Sequence, residues 1–238
     1  MRLYHHLTCG VFVKRLNRFS ALCDIGNTIH TVHVKNTGRL GELLIPGTKV
    51  WLEQSDNPLR KTAFDLVAVE TPFGCVNIDS QAPNRIFREW AESGRWHADA
   101  AQWRSEVTRG DSRFDFAYTR NGSIGFVEVK GVTLFDERRI ALFPDAPTLR
   151  GVKHLQGLIR AREEGCEAGV CFILQAEDVR GFAPNDVQHP AFGEALRAAH
   201  SAGVDIRALR CRVTPEGSTA LGEVPVMLSS PGFRKNQQ

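Results

Sequence analysis

Hydrophobic and polar residues alternate in short stretches over the first third of the chain. The stretch 29–34, which follows the turn signal Gly26-Asn27, shows the alternation most plainly. Strict alternation is typical of half-buried strands, and Gly, Pro and Asn between such stretches mark turns. The pattern predicts strands at 10–13, 19–25, 29–34, 41–45, 49–53, 62–70 and 74–79. Short strands at this regular spacing predict a small five-stranded barrel, most naturally of the oligonucleotide-binding (OB) type.

The pattern changes near residue 80, where helical spacing first appears. After Pro83, apolar residues recur at helical spacing as Ile86, Phe87, Trp90 and Ala91. Three strands and a helix capped by Thr148 come next, then an almost wholly apolar strand, another helix and late strands. We therefore predict an all-β domain over 1–82 that binds nucleic acid and an α/β domain over 83–238.

Composition and charge narrow the functional class only slightly. The 238 residues carry a formal net charge of +3, which is compatible with nucleic-acid binding. The sequence has no run of 18 apolar residues and shows no signal peptide, so we expect no membrane span and a cytoplasmic protein. None of the six cysteines forms a Cys-x-x-Cys pair, which favours free thiols over the alternatives of a disulfide or a zinc site.

Charged residues interrupt two neighbouring predicted strands. Asp115 lies on the first strand. Glu128 and Lys130 lie two residues apart on the second strand, so these two side chains share a face. Carboxylates that hold Mg²⁺ can activate water and stabilise charge during phosphodiester hydrolysis, and Mg²⁺ needs only a few of them. A lysine beside the metal can orient the water or neutralise phosphate. The three residues are therefore our candidate catalytic set with Mg²⁺ or Mn²⁺ as cofactor; the alternative is a solvated strand pair.

The spacing Asp-x12-Glu-x-Lys fits the pattern of the PD-(D/E)XK nuclease superfamily. The chain as a whole resembles the sugar fermentation stimulation protein A (SfsA) family from about residue 10 to about residue 213. The matching stretches are 33–39, 42–47, 57–62, 112–116, 127–130, 132–134, 143–155, 182–184 and 203–204. The block 143–155, Phe-Pro-Asp-Ala-Pro-Thr-Leu-Arg-Gly-Val-Lys-His-Leu, is the most specific of these.

This resemblance implies an OB-like barrel followed by a PD-(D/E)XK nuclease-like α/β domain with a mixed central sheet. It also implies DNA binding and a role in regulating sugar metabolism. Asp115, Glu128 and Lys130 would form the nuclease core, and Glu89 would add a helix carboxylate to the metal ligands Asp115 and Glu128. Gly131 departs from the pattern, since a polar residue is expected after the lysine.

Cations near the predicted site and in the barrel loops are candidates for binding phosphate, because Arg and Lys supply most such contacts. The candidate nucleic-acid-binding residues are Arg39, Arg60, Lys61, Arg150, Lys153 and His154. A simply solvated position is the alternative for the loop cations. Aromatic residues that could stack on bases in the first domain are Tyr4, Phe12, Phe19, Trp51 and Phe64, with core burial as the alternative.

Two functions follow from this sequence. The first is a metal-dependent nuclease that acts on DNA, with single-stranded DNA included because OB domains bind single strands. The second is a non-catalytic, DNA-binding regulator of sugar metabolism genes that retains a nuclease fold. The intact Asp115, Glu128 and Lys130 set argues against complete decay of the site. The sequence leaves the oligomeric state open.

Overall fold

The first domain is a closed barrel with a short strand added at its edge. The computed structural model describes residues 1–229. Its first six strands are β1 (Leu7–Arg15), β2 (Ser20–Ile25), β3 (Thr28–Val34), β4 (Lys49–Gln54), β5 (Phe64–Thr71) and β6 (Gly74–Asn77). The strands β1, β2, β3, β5 and β4 pair in that order around the barrel, and β4 pairs back onto β1. The parallel β3–β5 pairing closes it, and the predicted OB-like barrel is confirmed.

Alternate residues of these strands fill the barrel, as the two-residue period of a strand requires. Val32, Val34, Val50 and Leu52 are all buried in its core. The strand predicted at 41–45 is wrong, because this segment is a series of turns. Its leucines pack into the core from those turns, so their apolar character reflects burial and not strand pairing.

The second domain is built on a six-stranded mixed sheet, which confirms the predicted α/β class. Its order is β15-β14-β12-β9-β8-β7, with β9, β12 and β14 parallel and the remaining pairs antiparallel. Its elements are α1 (Ala82–Trp90), β7 (Ala101–Arg109), β8 (Ser112–Arg120), β9 (Ser123–Val132), β10 (Leu134–Phe135), β11 (Ile140–Phe143), α2 (Leu149–Glu163), β12 (Glu167–Leu174), β13 (Gly181–Pro184), α3 (Pro190–Ser201), β14 (Asp205–Thr214) and β15 (Gly217–Glu223). The short strands β10, β11 and β13 form a separate small sheet.

Helices cover both faces of the mixed sheet. α1 packs on one face, where its Phe87 lies in one core cluster with Val127 and Val129 of β9. α2 and α3 pack on the other face, where Leu155 lies in one cluster with Phe126. Thr148 caps α2 as predicted, accepting a hydrogen bond from the Gly151 N–H at 3.0 Å. Because side chains alternate along β9, Glu128 and Lys130 point to the α2 face.

The two domains share buried contacts. The backbone N–H groups of Leu3 and Tyr4 donate to the carbonyl oxygen of Glu216 at 2.8 and 3.0 Å, and the backbone N–H of Asn77 donates to the carbonyl oxygen of Gln175 at 3.2 Å. Ala82, at the boundary predicted from the sequence, is the first residue of α1. Within residues 1–229, none of the helices is both long and apolar enough to cross a membrane.

Candidate metal and phosphate site

The sheet opens at the point where the candidate carboxylates lie. The antiparallel ladder between β8 and β9 runs from Arg120 and Ser123 to Phe116 and Val127, where it ends. Asp115 is the next residue of β8, and its Oδ2 accepts a hydrogen bond from the Val129 N–H at 2.7 Å. A side chain thus takes the place of the missing backbone partner, so that the buried donor stays satisfied.

α1 supplies a second contact to Asp115. The side-chain amide of Asn84, in the first turn of α1, donates to Asp115 Oδ1 at 3.3 Å. This turn also explains Gly131, because a Cβ there would lie 2.7 Å from the Pro83 ring. A polar side chain after Lys130 would therefore collide with α1.

Glu128 is the most buried member of the site, with 1% of its surface exposed. Its Oε1 accepts hydrogen bonds from Lys130 Nζ and from His154 Nδ1. Arg150 donates from Nε to the other ring nitrogen of His154 at 3.2 Å, which assigns the ring proton to Nδ1. Oε2 of Glu128 is buried and has no hydrogen-bond partner among the described residues.

The two carboxylates have opposite pKa shifts. Burial, together with the negative charge of Glu128, raises the pKa of Asp115. Burial alone would also raise the pKa of Glu128, but the hydrogen bond from His154 and the charge of Lys130 outweigh it and lower that pKa. The ionised pair therefore places two negative charges close together in a partly buried position, which costs free energy unless a cation offsets it.

These residues fit a divalent cation held by two carboxylates. Nowhere in residues 1–229 do three or more His, Cys, Asp or Glu side chains form a group that could hold a metal ion. Mg²⁺ is nevertheless commonly bound through one or two carboxylates, because it keeps several of its waters. The buried Oε2 of Glu128 has no hydrogen-bond donor in the described part of the chain, so it is free to bind a cation. The charge of Glu128 also raises the pKa of the neighbouring Asp115, which a cation between the two carboxylates would offset.

Glu89, the predicted helix carboxylate, is not brought to this cluster. Its side chain is half exposed and lies 3.7 Å from the terminal amine of Met1. It also lines a small cavity with Thr219 of β15. The residue of α1 that contacts Asp115 is Asn84. Sequence spacing gave no signal for that contact, because it depends on how α1 crosses the sheet.

Three of the predicted phosphate-binding residues lie on α2, and the other three lie in the barrel. Arg150 and His154 belong to the cluster around Glu128, whereas Lys153, on the same helix, pairs with Asp111 at 3.6 Å. In the barrel, Lys61 and Arg39 are exposed.

Arg60 is instead held by a carboxylate. Its guanidinium donates to both oxygens of the buried Asp65, one of them at 2.9 Å. Burial raises the pKa of Asp65, but Arg60 and then His33 outweigh that effect and lower it. Arg60 is therefore part of an internal ion pair of the barrel.

A cleft of about 470 Å³ lies between the domains. Arg18, Asn36 and Gly38 line it from the barrel, and Gly131 and Arg150 line it from the second domain. Gly131 follows Lys130 in the chain, and Arg150 contacts His154. Arg150 therefore connects the cleft with the cluster, although Asp115, Glu128, Lys130 and His154 do not themselves line it.

Comparison with known proteins covers both domains. The family model described as the SfsA N-terminal OB domain matches residues 13–78, and the model described as the sugar fermentation stimulation protein RE domain matches residues 81–217. Two proteins described as sugar fermentation stimulation protein homologs are similar to the chain. The homolog from Ruminiclostridium cellulolyticum is 45% identical over 90% of this chain and 94% of its own length. The homolog from Desulfitobacterium hafniense is 47% identical over 94% of this chain and 98% of its own length.

One solved structure is similar over almost the whole chain. It is SfsA from Pyrococcus furiosus in complex with Ca²⁺, with a TM-score of 0.87 and 30% sequence identity. The match covers 95% of this chain and 98% of that one. On the family models and these relatives together, the chain belongs to the sugar fermentation stimulation protein (SfsA) family.

Proposed function

We propose that this protein is a divalent-metal-dependent phosphodiester hydrolase that acts on DNA. The observation that carries the proposal is the pairing of Asp115 with Glu128, whose buried Oε2 has no partner among the described residues. Lys130 lies on the other oxygen of the same carboxylate. The structure of the Pyrococcus furiosus relative contains Ca²⁺, which, like Mg²⁺, takes oxygen ligands. These observations support a cation site at the two carboxylates.

Each residue of the cluster has a distinct task in this proposal. Mg²⁺ or Mn²⁺, when bound, would supply an activated water and charge stabilisation at the phosphate. Asp115 and Glu128 would hold the cation, and Asn84 orients Asp115. Lys130 Nζ is placed to donate to a phosphate oxygen or to the attacking water. His154 fixes Glu128 Oε1, so that Oε2 stays directed away from Lys130.

DNA is the proposed substrate because the cleft beside the cluster is bordered by cations from both domains. Arg18 lines it from the barrel and Arg150 from α2. Arginine binds phosphate well, and such contacts position a nucleic acid without reading its sequence. The barrel would hold the strand while the second domain cuts it.

The test is cleavage of labelled DNA by the purified protein with Mg²⁺, with Mn²⁺ and with EDTA. We expect cleavage with either metal, and a loss of roughly 100-fold or more in Asp115→Asn, the size seen when one charge-stabilising group is removed. Asp111→Asn is the matched control, since Asp111 is an exposed carboxylate on the same side of the hairpin that pairs with Lys153 and Arg160. Equal cleavage by the Asp115→Asn variant and the unchanged protein would overturn the proposal.

The second candidate is a DNA-binding regulator with an idle site. One observation favours it: Lys130 already pairs with Glu128, and His154 donates a hydrogen bond to it, without a metal. Calorimetric titration with Mn²⁺ separates the two functions. Mn²⁺ binding that Asp115→Asn abolishes, together with cleavage, supports the hydrolase. Salt-dependent DNA binding without cleavage in either metal supports the regulator.

A further inference from the structure

We propose that the cleft between the domains receives a single polynucleotide strand and excludes a duplex, with the Phe19 ring as its stacking platform. This inference rests on the proposed action on DNA and names the form of the substrate.

The volume of the cleft suits one strand. About 470 Å³ corresponds to a cube of roughly 8 Å on an edge, whereas the major groove of B-DNA alone is ~12 Å wide. One or two nucleotides therefore fill the space. A duplex is wider than its own major groove, so it is too large for the cleft.

The domains touch across the cleft, which prevents a wider ligand from passing between them. A Cβ added to Gly38 of the barrel would lie 2.7 Å from Asp145 Oδ2 of the second domain. Both residues line the cleft. The barrel loop and the segment before α2 therefore meet at this point, and a duplex would have to separate them to pass between the domains there.

An exposed aromatic ring lies at the barrel wall. Phe19 is 56% exposed, although it is a large apolar residue. The guanidinium of Arg18, which lines the cleft, lies 5.9 Å from the centre of its ring. Unpaired bases stack on aromatic side chains, and arginine adds a cation for the backbone phosphates. Bases within a duplex are already stacked and offer no face to such a ring.

Arg15 holds this wall in place. Its guanidinium donates to the carbonyl oxygens of Arg18 at 2.7 Å, Asn36 at 2.8 Å and Gly38 at 2.8 Å. It also donates to the carbonyl oxygens of Asn17 at 3.0 Å and Arg39 at 2.9 Å. The turn that carries Arg18 and the loop that bridges to Asp145 are therefore tied to one side chain. Arg15 is a positioning residue for the platform, and a ligand would meet Arg18 and Phe19.

Arg150 connects the cleft with the proposed site. Arg150 lines the cleft opposite the barrel and contacts His154, which donates to Glu128. A strand stacked on Phe19 would therefore place a phosphate between Arg18 and Arg150, beside the turn of α2 that carries His154.

The test is equilibrium binding of fluorescent oligonucleotides in EDTA, where no cleavage can interfere. The probes are a single-stranded DNA, the same sequence as a duplex, and a single-stranded RNA. We expect the unchanged protein to prefer single strands, and Phe19→Ala to weaken single-strand binding by about tenfold, the loss of one stacked base. Duplex binding should change little. Comparison of the DNA and RNA probes identifies the sugar that the cleft accepts.

Phe73→Ala is the matched control. Phe73 is 65% exposed and lies under Arg139 at 4.6 Å, so it repeats the arginine–phenylalanine pair, but it lines a different cavity. The inference is overturned if Phe19→Ala and Phe73→Ala bind single strands equally well, or if the unchanged protein prefers the duplex.

These outcomes are separate from those of the hydrolase proposal. Single-strand binding that depends on Phe19, without cleavage in any metal, would leave the inference standing and refute the hydrolase. Equal cleavage of single strands and duplexes that the Phe19→Ala change does not affect would support the hydrolase and refute the inference.

Discussion

Asp115 Oδ2 lies 2.7 Å from the backbone nitrogen of Val129 and accepts a hydrogen bond from it where the β8–β9 ladder has ended. The same carboxylate therefore has two roles, since it completes the sheet and faces Glu128. Its pKa is raised because burial and the charge of Glu128 both oppose its ionisation. Such a group stabilises a bound cation better than it stabilises the fold.

Asp115→Asn should make the metal-free protein more stable at neutral pH. Asparagine keeps an oxygen for the Val129 N–H and removes one of two facing charges, so we expect a gain of roughly 0.5–2 kcal/mol in the free energy of unfolding. Because the folded-state pKa of Asp115 is raised, the unchanged protein recovers this difference as pH falls through that pKa. Urea unfolding in EDTA at several pH values measures it. Asp111→Asn should show no such gain, and a less stable Asp115→Asn protein at neutral pH would contradict the prediction.

His154→Leu should destabilise the protein at neutral pH by about 1–3 kcal/mol, since Glu128 loses a hydrogen-bond donor while remaining buried. The lowered pKa of Glu128 contributes stability above its unfolded pKa, and this is lost as pH falls through the folded value. The gap between His154→Leu and the unchanged protein should therefore close in acid. Thermal unfolding across pH checks this, and His154→Gln, which retains a donor, should recover part of the loss. A gap that is constant with pH would refute the account.

Arg150→Ala should weaken DNA binding more than Lys153→Ala does, although both cations lie on α2. Arg150 lines the cleft, whereas Lys153 pairs with Asp111. Loss of one phosphate contact lowers the slope of log K against log salt by about 1. Titrations at several salt concentrations measure this slope. Equal slopes for the two variants would show that α2 does not face the bound nucleic acid as proposed.

Arg60→Ala should lower the stability of the protein, whereas Lys61→Ala should leave its stability unchanged. Arg60 is the main partner of the buried Asp65, so its removal should cost about 1–3 kcal/mol, less than a fully buried pair because Arg60 is partly exposed. The pKa of Asp65 is lowered, so this contribution is lost as pH falls through its folded value. Chemical denaturation of both variants tests the contrast. Equal stability of Arg60→Ala and Lys61→Ala would contradict it.

Local patterns predicted most of the architecture. Alternation in the first domain and helical spacing after Pro83 gave both fold classes, and Thr148 marked the start of α2. The strand predicted at 41–45 was wrong because leucines can fill a barrel core from turns. The short strands β10, β11 and β13 carry too few residues for a period to show.

The candidate site was predictable only where its residues are close in sequence. Glu128 and Lys130 share a strand face, so spacing alone placed them together. The contacts of Asn84 with Asp115 and of His154 with Glu128 join elements far apart in the chain. They depend on helix placement, which no local pattern records. Glu89 shows the same limit, since five residues along α1 from Asn84 it faces Met1 instead.

The contact between Gly38 and Asp145 bears on the modularity of the protein. Two domains with separate folds are often treated as exchangeable units. Here one wall of the cleft belongs to the barrel, and Arg15 fixes the shape of that wall. A chimera that replaces the barrel must therefore also carry over Arg15, the turn after β1 and the loop after β3, because without them the second domain keeps its carboxylates but loses half of the surface in front of them.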